Sequence, residues 1–318
     1  MKKALLFVLA IALLLPGCAQ QARYSVTYLD LFDTVTTITG YGEDFQPQAD
    51  DIYEKLAHYH RLFDIYHDYE DINNLKTVND QAGIAPVVVE RAILELLLDC
   101  KGYYTLTGGR VNVAMGSVLR LWHEARQTGI LPAREALQQA AAHSRWEDVI
   151  IDEAASTVFL ADGALSLDVG AVAKGWACQR VAEEAAEGLL ISLGGNVCAT
   201  GAKDENGTPW RIGVQDPAGG AAYLQTLSLT RGAVVTSGDY QRTVTIDGVA
   251  YHHIIDPDTL QPATYWRSVT VICPDSALAD ALSTALFLMP LEAGKQLAES
   301  CGAQVIWVDA AGKQFQTD

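Results

Sequence analysis

Asp280 and Thr284 lie on one predicted helix, in the segment DSALADALSTALF (275–287). Residues at positions i and i+4 of a helix share a face, so the carboxylate and the hydroxyl would point the same way. Hard oxygen donors of this kind suit Mg²⁺, which takes few protein ligands and completes its shell with water and substrate phosphate. The alternative interpretation of the same spacing is a solvated pair of surface side chains.

Two adjacent histidines, His252 and His253, precede two aspartates in the segment YHHIIDPDTLQPA (251–263). Histidine is the side chain best suited to bind a metal or to accept a proton near neutral pH. Neighbouring side chains of a strand point to opposite faces, so these two would not easily chelate one ion. The segment is therefore either catalytic through one histidine or simply a strand that runs into a polar turn.

The segment LDVGAVAKG (167–175) predicts a buried strand that ends at Asp168, then a glycine turn and a helix. A helix N-terminus can bind an anionic ligand, and Lys174 in its first turns would add positive charge. The spacing matches neither the dinucleotide-binding fingerprint nor the P-loop, so a plain strand–turn–helix joint is the alternative. Tyr66 follows an apolar helix among polar residues, where its ring could stack on a planar ligand.

The overall charge limits the partners of this chain. Its 318 residues carry a formal net charge of −17, and 49% of them are hydrophobic. A nucleic-acid-binding protein normally shows a basic surface, so DNA and RNA are excluded as the main partner. A phosphate ester bound by so acidic a protein would have to be neutralised locally, by a metal or by backbone dipoles.

The N-terminus is typical of a bacterial lipoprotein signal. Lys2 and Lys3 precede an apolar run at 4–15, which is too short to span a membrane, and Leu-Pro-Gly-Cys follows. We expect residues 1–17 to be the signal peptide and 18–25 to hold the lipidated Cys18 and a tether. The mature protein would be anchored to the cell membrane on its extracytoplasmic face; an ordinary signal peptide is the alternative. The remaining cysteines lie mostly in apolar runs and predict buried free thiols without a disulfide framework.

The elements that must position these residues alternate irregularly between helices and strands, which predicts an α+β fold in one domain over 26–318, or two lobes around a cleft. Asp247-Gly248 is typical of a hairpin turn, and Ser276 is expected to cap the helix that carries Asp280. Helices are expected at 48–66, 86–107, 115–126, 132–145, within 165–188 and from 276 to about 289; strands are expected at 26–42, 148–162, 165–168, 189–201, 210–217, 224–238, 242–257, 267–273 and 304–309.

The chain resembles the ApbE family, the bacterial FAD:protein FMN transferases, from about residue 29 to residue 308. The resemblance lies in a series of blocks in a fixed order: LFDTVTTI, LFDIYHDYEDINNLKTVN, VNVAMGSVLRLW, LDVGAVAKG, ISLGGN, PWRIGVQDP, TSGDYQR, HHIIDPDTLQP and SVTVICPDSALADALSTALF. It implies a compact T-fold-like domain of mixed sheets and helices around a flavin cleft.

The resemblance also implies an activity. Family members transfer the FMN moiety of FAD to a threonine or serine hydroxyl of a target protein through a phosphodiester bond, release AMP and require Mg²⁺. The substrate would be FAD, and the acceptor would be a separate protein such as a membrane redox subunit. Two alternatives stay open: an FAD pyrophosphatase that yields FMN and AMP, and a non-enzymatic lipoprotein that binds flavin.

Residues carried over from the family fall into three groups. His253 would be the catalytic base, with His252 as the second candidate. Asp280, Ser283, Thr284 and the backbone carbonyl of Ala171 would bind the metal; Ser283 stands where many members have an acidic residue, and its hydroxyl would be a weaker ligand. The flavin contacts would be Phe32, Tyr66, Arg110, Val111, Asn112, Asp168, Lys174 and Ile254. This chain has Phe32-Asp33-Thr34 where Met-Gly-Thr is frequent, and 111–114 also departs from the common Phe-Asp-Pro-Thr.

Overall fold

The computed structural model describes residues 22–220 and 223–317, which form one α+β domain as expected. The helices are α1 (Phe45–Phe63), α2 (Leu75–Asp80), α3 (Arg91–Leu106), α4 (Gly116–Thr128), α5 (Arg134–Ala141), α6 (Ala173–Glu184), α7 (Ser276–Phe287) and α8 (Leu291–Ser300). The strands are β1 (Arg23–Leu31), β2 (Thr34–Tyr41), β3 (Val87–Val88), β4 (Val149–Asp152), β5 (Thr157–Leu160), β6 (Leu190–Leu193), β7 (Asn196–Ala199), β8 (Trp210–Gln215), β9 (Tyr223–Leu229), β10 (Gly232–Gly238), β11 (Val244–Ile246), β12 (Val249–Tyr251), β13 (Ser268–Cys273), β14 (Gln304–Val308) and β15 (Gln314–Gln316).

An eight-stranded antiparallel sheet is the centre of the fold, with the order β1-β2-β6-β7-β10-β13-β14-β15. Its central strands β10 and β13 are buried along almost their whole length, because both faces of the sheet are covered. Helix α7 packs across β10 and β13 on one face, and α6 lies beside α7. The β8–β9 hairpin covers part of the other face, where Trp210 packs with Val234.

A second layer closes the helical side. Helices α1 and α3 pack with α6, and the small sheet β3-β5-β4 completes the apolar cluster there. Trp176 of α6 is 1% exposed and meets the rings of Tyr59 and Phe63 edge to face. Burial of aromatic rings contributes strongly to such a core. The turn that precedes α6 and the facing side of α7 are thereby fixed relative to each other.

The first strand-like stretch, 26–42, is two strands rather than one. Strands β1 and β2 form a hairpin whose two-residue turn is Phe32-Asp33, with φ of 52° and 51°. Positive φ is unfavourable for a bulky residue, and no glycine or Asn-Gly pair marks a turn at this position of the sequence. The predicted Asp247-Gly248 hairpin turn is confirmed, with φ of 50° and 80° between β11 and β12.

Some other boundaries also differ from those expected. The helix expected from Pro86 begins at Arg91, because Val87 and Val88 pair with β5 instead. Residues 165–168 form no strand; they are an extended segment whose Ser166 makes a single bridge to Met115. Asp275, not Ser276, caps α7, because its side chain accepts a hydrogen bond from the backbone N–H of Leu278. Helices α2 and α8 and strand β15 were not expected.

The predicted signal peptide at 1–17 and the predicted lipid attachment at Cys18 lie outside the described residues, as does the first part of the tether. Within the described part of the chain, Cys100, Cys178, Cys198 and Cys273 are buried free thiols and Cys301 is a half-buried one, as the sequence predicts. No helix among residues 22–220 and 223–317 has the length and apolarity needed to cross a bilayer.

Candidate active site

A cavity of about 820 Å³ opens between the helical layer and the ends of strands β2, β7 and β10 of the main sheet. That volume is in the range of a cofactor pocket. The elements around it come from the whole length of the chain, from the β1–β2 turn to α7. The predicted residues that line it are Phe32, Tyr66, Arg110, Val111, Asn112, Asp168, Ala171, Lys174, His253, Ile254, Asp280 and Thr284.

Asp280 forms the inner wall of the cavity. Its side chain is 6% exposed, and its Oδ2 accepts a hydrogen bond from the backbone N–H of Gly175 at 2.8 Å. The Lys174 ammonium lies 3.9 Å from the same oxygen and donates to the carbonyl oxygen of Gly170 at 3.2 Å. Burial raises the pKa of Asp280 above its ordinary value, and the charge of Lys174 only opposes this in part. A cation bound in the cavity would therefore stabilise the ionised carboxylate.

The close approach of α6 and α7 makes the Gly175 hydrogen bond possible. A Cβ atom on Gly175 would lie 2.3 Å from the Cβ of Asp280 and 2.4 Å from the carbonyl oxygen of Ser276. Only glycine leaves room for the two helices at this distance. The carboxylate is thus held by the backbone of the neighbouring helix, and not merely by its own rotamer.

The residues around Asp280 fit a hard divalent cation. Thr284 lines the cavity one helical turn after Asp280, and Ala171 belongs to the turn before α6. Within the described residues no group of three or more His, Cys, Asp and Glu side chains is placed for a metal, so a cation here would depend on one carboxylate with hydroxyl and carbonyl oxygens. Oxygen donors of this type, with positions left for phosphate and water, suit Mg²⁺.

Asn196, at the start of β7, is a further polar residue beside Asp280 that sequence reasoning missed. It is 2% exposed and lines the cavity, and its Nδ2 has no hydrogen-bond partner within the described structure. Its amide acts on Asp280 by lowering the pKa of the carboxyl, although the pair does not have the geometry of a full hydrogen bond. A buried amide without a partner is costly, so Asn196 points to a bound group or to an adjustment of Asp280 on binding.

Ser283 does not join these donors. Its side chain is fully buried and does not line the cavity. Its hydroxyl donates to the carbonyl oxygen of Asp280 at 2.9 Å and contacts the hydroxyl of Ser237 at 2.8 Å. Successive residues of a helix are about 100° apart around its axis, so Ser283 contacts Ser237 of β10 whereas Thr284 lines the cavity. The structure thus places Ser283 behind the predicted metal site and not in it.

The two histidines have different roles. His252 is 8% exposed and does not line the cavity; its Nε2 lies 2.8 Å from the carbonyl oxygen of Ala263, and its Nδ1 accepts from the backbone N–H of Ile254. Both of its nitrogens are engaged, so it is a structural residue. His253 lines the cavity, and its Nδ1 lies 3.3 Å from the carbonyl oxygen of Gln241. A carbonyl can only accept, so Nδ1 carries the proton and Nε2 keeps a free lone pair.

Four Lys and Arg side chains line the cavity beside four aspartates, although the chain as a whole is strongly acidic. Arg126 of α4 and Arg242, which sequence reasoning missed, line it together with Lys174. Burial, followed by the charges of Arg242, Lys174, His252 and Arg126, lowers the pKa of His253 to about 3. Burial and the charge of Arg242 also lower the pKa of Arg126. These cations destabilise one another in the free protein, so the arrangement favours an anionic ligand.

The aromatic wall is built from two loops. Tyr66 is 50% exposed, and its ring stacks on His123 of α4 with ring centroids 5.3 Å apart. Phe32, at the β1–β2 turn, donates its backbone N–H to Nδ1 of His60 at 3.1 Å, and its carbonyl oxygen accepts from Arg242 at 3.5 Å. The turn is therefore attached to α1 and to the 239–243 loop, which hold it at the cavity rim.

The remaining predicted flavin contacts are in the 110–112 loop, at Asp168 and at Ile254. Nη1 of Arg110 lies 2.6 Å from Oδ2 of Asp258 and 3.4 Å from Oδ1 of Asp256. Arg110 therefore connects the 110–112 loop to the segment after His253, in addition to lining the cavity. Asn112 donates to the carbonyl oxygen of Ser144 at 2.9 Å. Val111 and Ile254, at 2% and 6% exposed, supply apolar wall, and Asp168 accepts from the backbone N–H of Gly170 at 2.9 Å.

Comparisons with known proteins agree with this arrangement. The model of the ApbE family matches residues 32–307. The FAD:protein FMN transferase of Treponema pallidum is 36% identical over 240 residues, which are 70% of this chain and 66% of that protein. The FAD:protein FMN transferase of Klebsiella pneumoniae is 33% identical over 247 residues, which are 74% of this chain and 76% of that protein.

Solved structures with this fold cover nearly the whole chain. The crystal structure of an ApbE protein from Thermotoga maritima superposes with a TM-score of 0.85 at 29% identity, covering 93% of this chain and 97% of that one. The flavin transferase ApbE from Vibrio cholerae superposes with a TM-score of 0.79 at 25% identity, covering 94% and 98%. The cavity thus lies in a fold that is shared with flavin transferases.

Proposed function

Because this chain belongs to the ApbE family, we propose that it transfers the FMN part of FAD to a threonine or serine hydroxyl of a separate target protein. Its relatives and solved neighbours are named for flavin transfer, and the chain is an enzyme of that type. The observation that carries the proposal is the placement of the free Nε2 of His253, the cations Arg126, Lys174 and Arg242, and the buried Asp280 carboxylate around one cavity of about 820 Å³.

The transfer is a phosphoryl substitution. The hydroxyl oxygen of the acceptor bonds to the phosphorus of the FMN half of FAD, while the bond from that phosphorus to the bridging oxygen breaks. AMP leaves with the bridging oxygen, and the acceptor keeps FMN through a phosphodiester. The hydroxyl proton must go to a base, because a neutral alcohol is a poor nucleophile.

His253 supplies that base through Nε2. The contact of Nδ1 with the Gln241 carbonyl fixes the tautomer that leaves Nε2 unprotonated toward the cavity. A pKa of about 3 makes His253 neutral in the free protein but a weak base. Its low pKa is caused first by burial and then by cations, and the negative charges of FAD offset those cations, so substrate binding raises its basicity.

The cations of the cavity bind and orient the pyrophosphate. Lys174, Arg126 and Arg242 approach from α6, α4 and the 239–243 loop, so they surround a ligand on different sides. Positive charges fixed in place before the reaction stabilise the charge that develops at phosphorus and on the leaving AMP. Tyr66 offers a flat, half-exposed ring for the isoalloxazine.

A magnesium ion is part of the proposal. Asp280, Thr284 and the carbonyl of Ala171 would hold it, and the support is the buried carboxylate of Asp280, whose pKa burial raises even though the Lys174 ammonium lies 3.9 Å away. When bound, Mg²⁺ supplies charge neutralisation of the pyrophosphate and polarisation of the attacked phosphorus.

The decisive experiment incubates the protein with FAD and Mg²⁺, with and without a candidate acceptor. Flavin that stays on the acceptor through denaturing electrophoresis, with one AMP released per flavin bound, is the expected result. Free FMN produced at the same rate without acceptor would identify a hydrolase instead. FAD bound without any release of AMP would identify a binding protein.

Attachment to the membrane completes the proposal. Support comes from the charged start, the apolar run and the Leu-Pro-Gly-Cys sequence that ends at Cys18. A diacylglyceryl group on Cys18 would hold the enzyme on the extracytoplasmic face, where its acceptor would be a membrane redox subunit. Labelling of cells with radioactive palmitate tests this: the native protein should be labelled and sediment with membranes, and a Cys18→Ser variant should do neither.

A further inference from the structure

Asp64 is a buried carboxylate at the cavity that the transfer chemistry does not use. It directly follows α1, and its side chain is 5% exposed. Its backbone is extended, with φ −65° and ψ 130°, so the chain leaves the helix abruptly here. Its carbonyl oxygen accepts the backbone N–H of Lys76 at 3.0 Å, which ties the end of α1 to α2.

The carboxylate of Asp64 gathers the loop of residues 64–69 around itself. Oδ1 accepts the backbone N–H groups of Tyr66 and His67 at 2.7 Å and 3.2 Å. Oδ2 accepts from Nδ1 of His67 at 2.9 Å and from the hydroxyl of Tyr69 at 2.8 Å. Burial acts to raise the pKa of Asp64, but these hydrogen bonds outweigh it and the pKa lies below its ordinary value. Asp64 is thus ionised in this arrangement of the loop, and its hydrogen bonds are the stronger, charge-assisted kind.

The shortest of these bonds to the backbone goes to Tyr66, the residue that presents its ring to the cavity. That ring is 50% exposed and stacks on His123 of α4. The loop has no strand or helix of its own between Asp64 and Asp68, so the carboxylate replaces the backbone pairing that would otherwise fix it. Preorganisation of a ring before binding increases affinity, because its ordering is not required again when the ligand arrives.

We propose that Asp64 is a positioning residue, whose carboxylate fastens the 64–69 loop so that the Tyr66 ring is held ready to stack on the isoalloxazine of FAD. The inference rests on the proposed binding of FAD in this cavity. It assigns to Asp64 no contact with the substrate; its effect passes through Tyr66. Loss of the carboxylate should therefore weaken FAD binding and raise KM much more than it lowers kcat.

The variants Asp64→Ala and Asp64→Asn test this in the full-length protein. Asp64→Ala removes all four hydrogen bonds and is expected to raise the dissociation constant and KM for FAD about 10-fold, as a loss of about 1.4 kcal/mol would. Asp64→Asn keeps an oxygen that accepts the two backbone N–H groups, but its amide nitrogen cannot accept from the Tyr69 hydroxyl. This variant should therefore keep part of the affinity for FAD that Asp64→Ala loses. FAD binding is measured by flavin fluorescence, and melting temperature is recorded for each variant.

Asp309→Ala is the matched control. Asp309 also accepts two backbone N–H groups, from Ala311 and Lys313 at 2.9 Å each, in a turn away from the cavity. This variant loses the same kind of turn and should leave FAD affinity unchanged. Should Asp64→Ala fail to fold, Tyr69→Phe removes only the bond at 2.8 Å and should still weaken FAD binding about 3-fold.

A double-mutant cycle with Tyr66→Ala separates positioning from general stability. If Asp64 acts through Tyr66, Asp64→Ala adds little to the loss of FAD affinity once Tyr66 is alanine. Equal effects of Asp64→Ala in both backgrounds would overturn the inference, and so would unchanged FAD affinity in both Asp64 variants when the native protein binds FAD. Absence of FAD binding by the native protein would instead overturn the proposed function, and this inference with it.

Discussion

The contact between α6 and α7 at Gly175 allows a specific prediction. Replacement of Gly175 by alanine should destabilise the protein, whereas the same replacement at another helical glycine should stabilise it. Gly175→Ala places a Cβ 2.3 Å from the Cβ of Asp280 and 2.4 Å from the carbonyl oxygen of Ser276. Both distances are more than 1 Å shorter than a normal non-bonded contact, which is about 3.5 Å. The helices must separate, and the 2.8 Å bond from the Gly175 N–H to the Asp280 carboxylate would then be stretched.

The magnitude follows from these two terms. Overpacking of a close helix contact costs about 1–3 kcal/mol, and loss of a hydrogen bond to a charged group costs about 1.5–3 kcal/mol. We therefore expect Gly175→Ala to lower the free energy of unfolding by about 3–5 kcal/mol, which lowers the melting temperature by roughly 6–10 °C for a domain of this size. The affinity for Mg²⁺ should fall as well, since Asp280 moves.

Gly102→Ala is the control for this prediction. Gly102 lies in the exposed face of α3, and nothing comes within 4 Å of a Cβ built there. Alanine is a better helix former than glycine, so this variant should be more stable by about 0.5–1 kcal/mol. Thermal unfolding of both variants by calorimetry, with and without Mg²⁺, makes the measurement. A Gly175→Ala protein that melts with the native one would refute the argument that this contact positions Asp280.

Three further predictions concern single residues of the cavity. His253→Ala should keep FAD binding and lose transfer by about 10²–10⁴-fold. Because His253 must be neutral to accept a proton, acid should inactivate the free enzyme only near the pKa of His253, about 3. A fall of kcat/KM at pH 6–7 in the native enzyme that is absent from the variant would contradict this. Asn196→Ala should weaken Mn²⁺ binding, followed by paramagnetic resonance, about 10-fold or more, and unchanged binding would show that its amide serves another group. Asp33→Gly should raise stability by about 0.5–1 kcal/mol, since φ at Asp33 is 51°; a lower melting temperature would mean that the Asp33 side chain stabilises the turn.

The parts of the fold that local pattern controls could be predicted. The helix that carries Asp280 and Thr284, the Asp247-Gly248 hairpin and the central-sheet strands β13 and β14 follow from periodicity and turn residues. The β1–β2 hairpin could not be predicted in this way, since Phe32 and Asp33 adopt positive φ without glycine. Tertiary contacts to His60 and Arg242 hold that turn, and no local pattern encodes them.

The residues of the site likewise fall into those that local sequence pattern identifies and those that only the folded structure brings together. Residue types on one helix face identified Asp280 and Thr284, whereas the role of Ser283 depended on which way a fully buried side chain turns. Arg126 and Arg242 are far apart in the chain, and only the folded structure brings both to the cavity. Even the choice between His252 and His253 depended on a hydrogen bond to the Gln241 carbonyl, which a sequence does not display.

The short distance along the chain from Cys18 to the cavity limits how far from a membrane this enzyme could work. Strand β1 begins at Arg23 and leads directly into Phe32 at the cavity rim. An extended chain advances at most about 3.5 Å per residue, so the segment from Cys18 to Arg23 reaches no more than roughly 17 Å. With Cys18 acylated, as proposed, the start of β1 would stay within roughly 17 Å of the lipid surface, and β1 would add at most roughly 30 Å between Arg23 and the cavity rim. An acceptor threonine carried high on a tall ectodomain would stay out of reach, whereas one presented close to the bilayer would be encountered by diffusion in two dimensions.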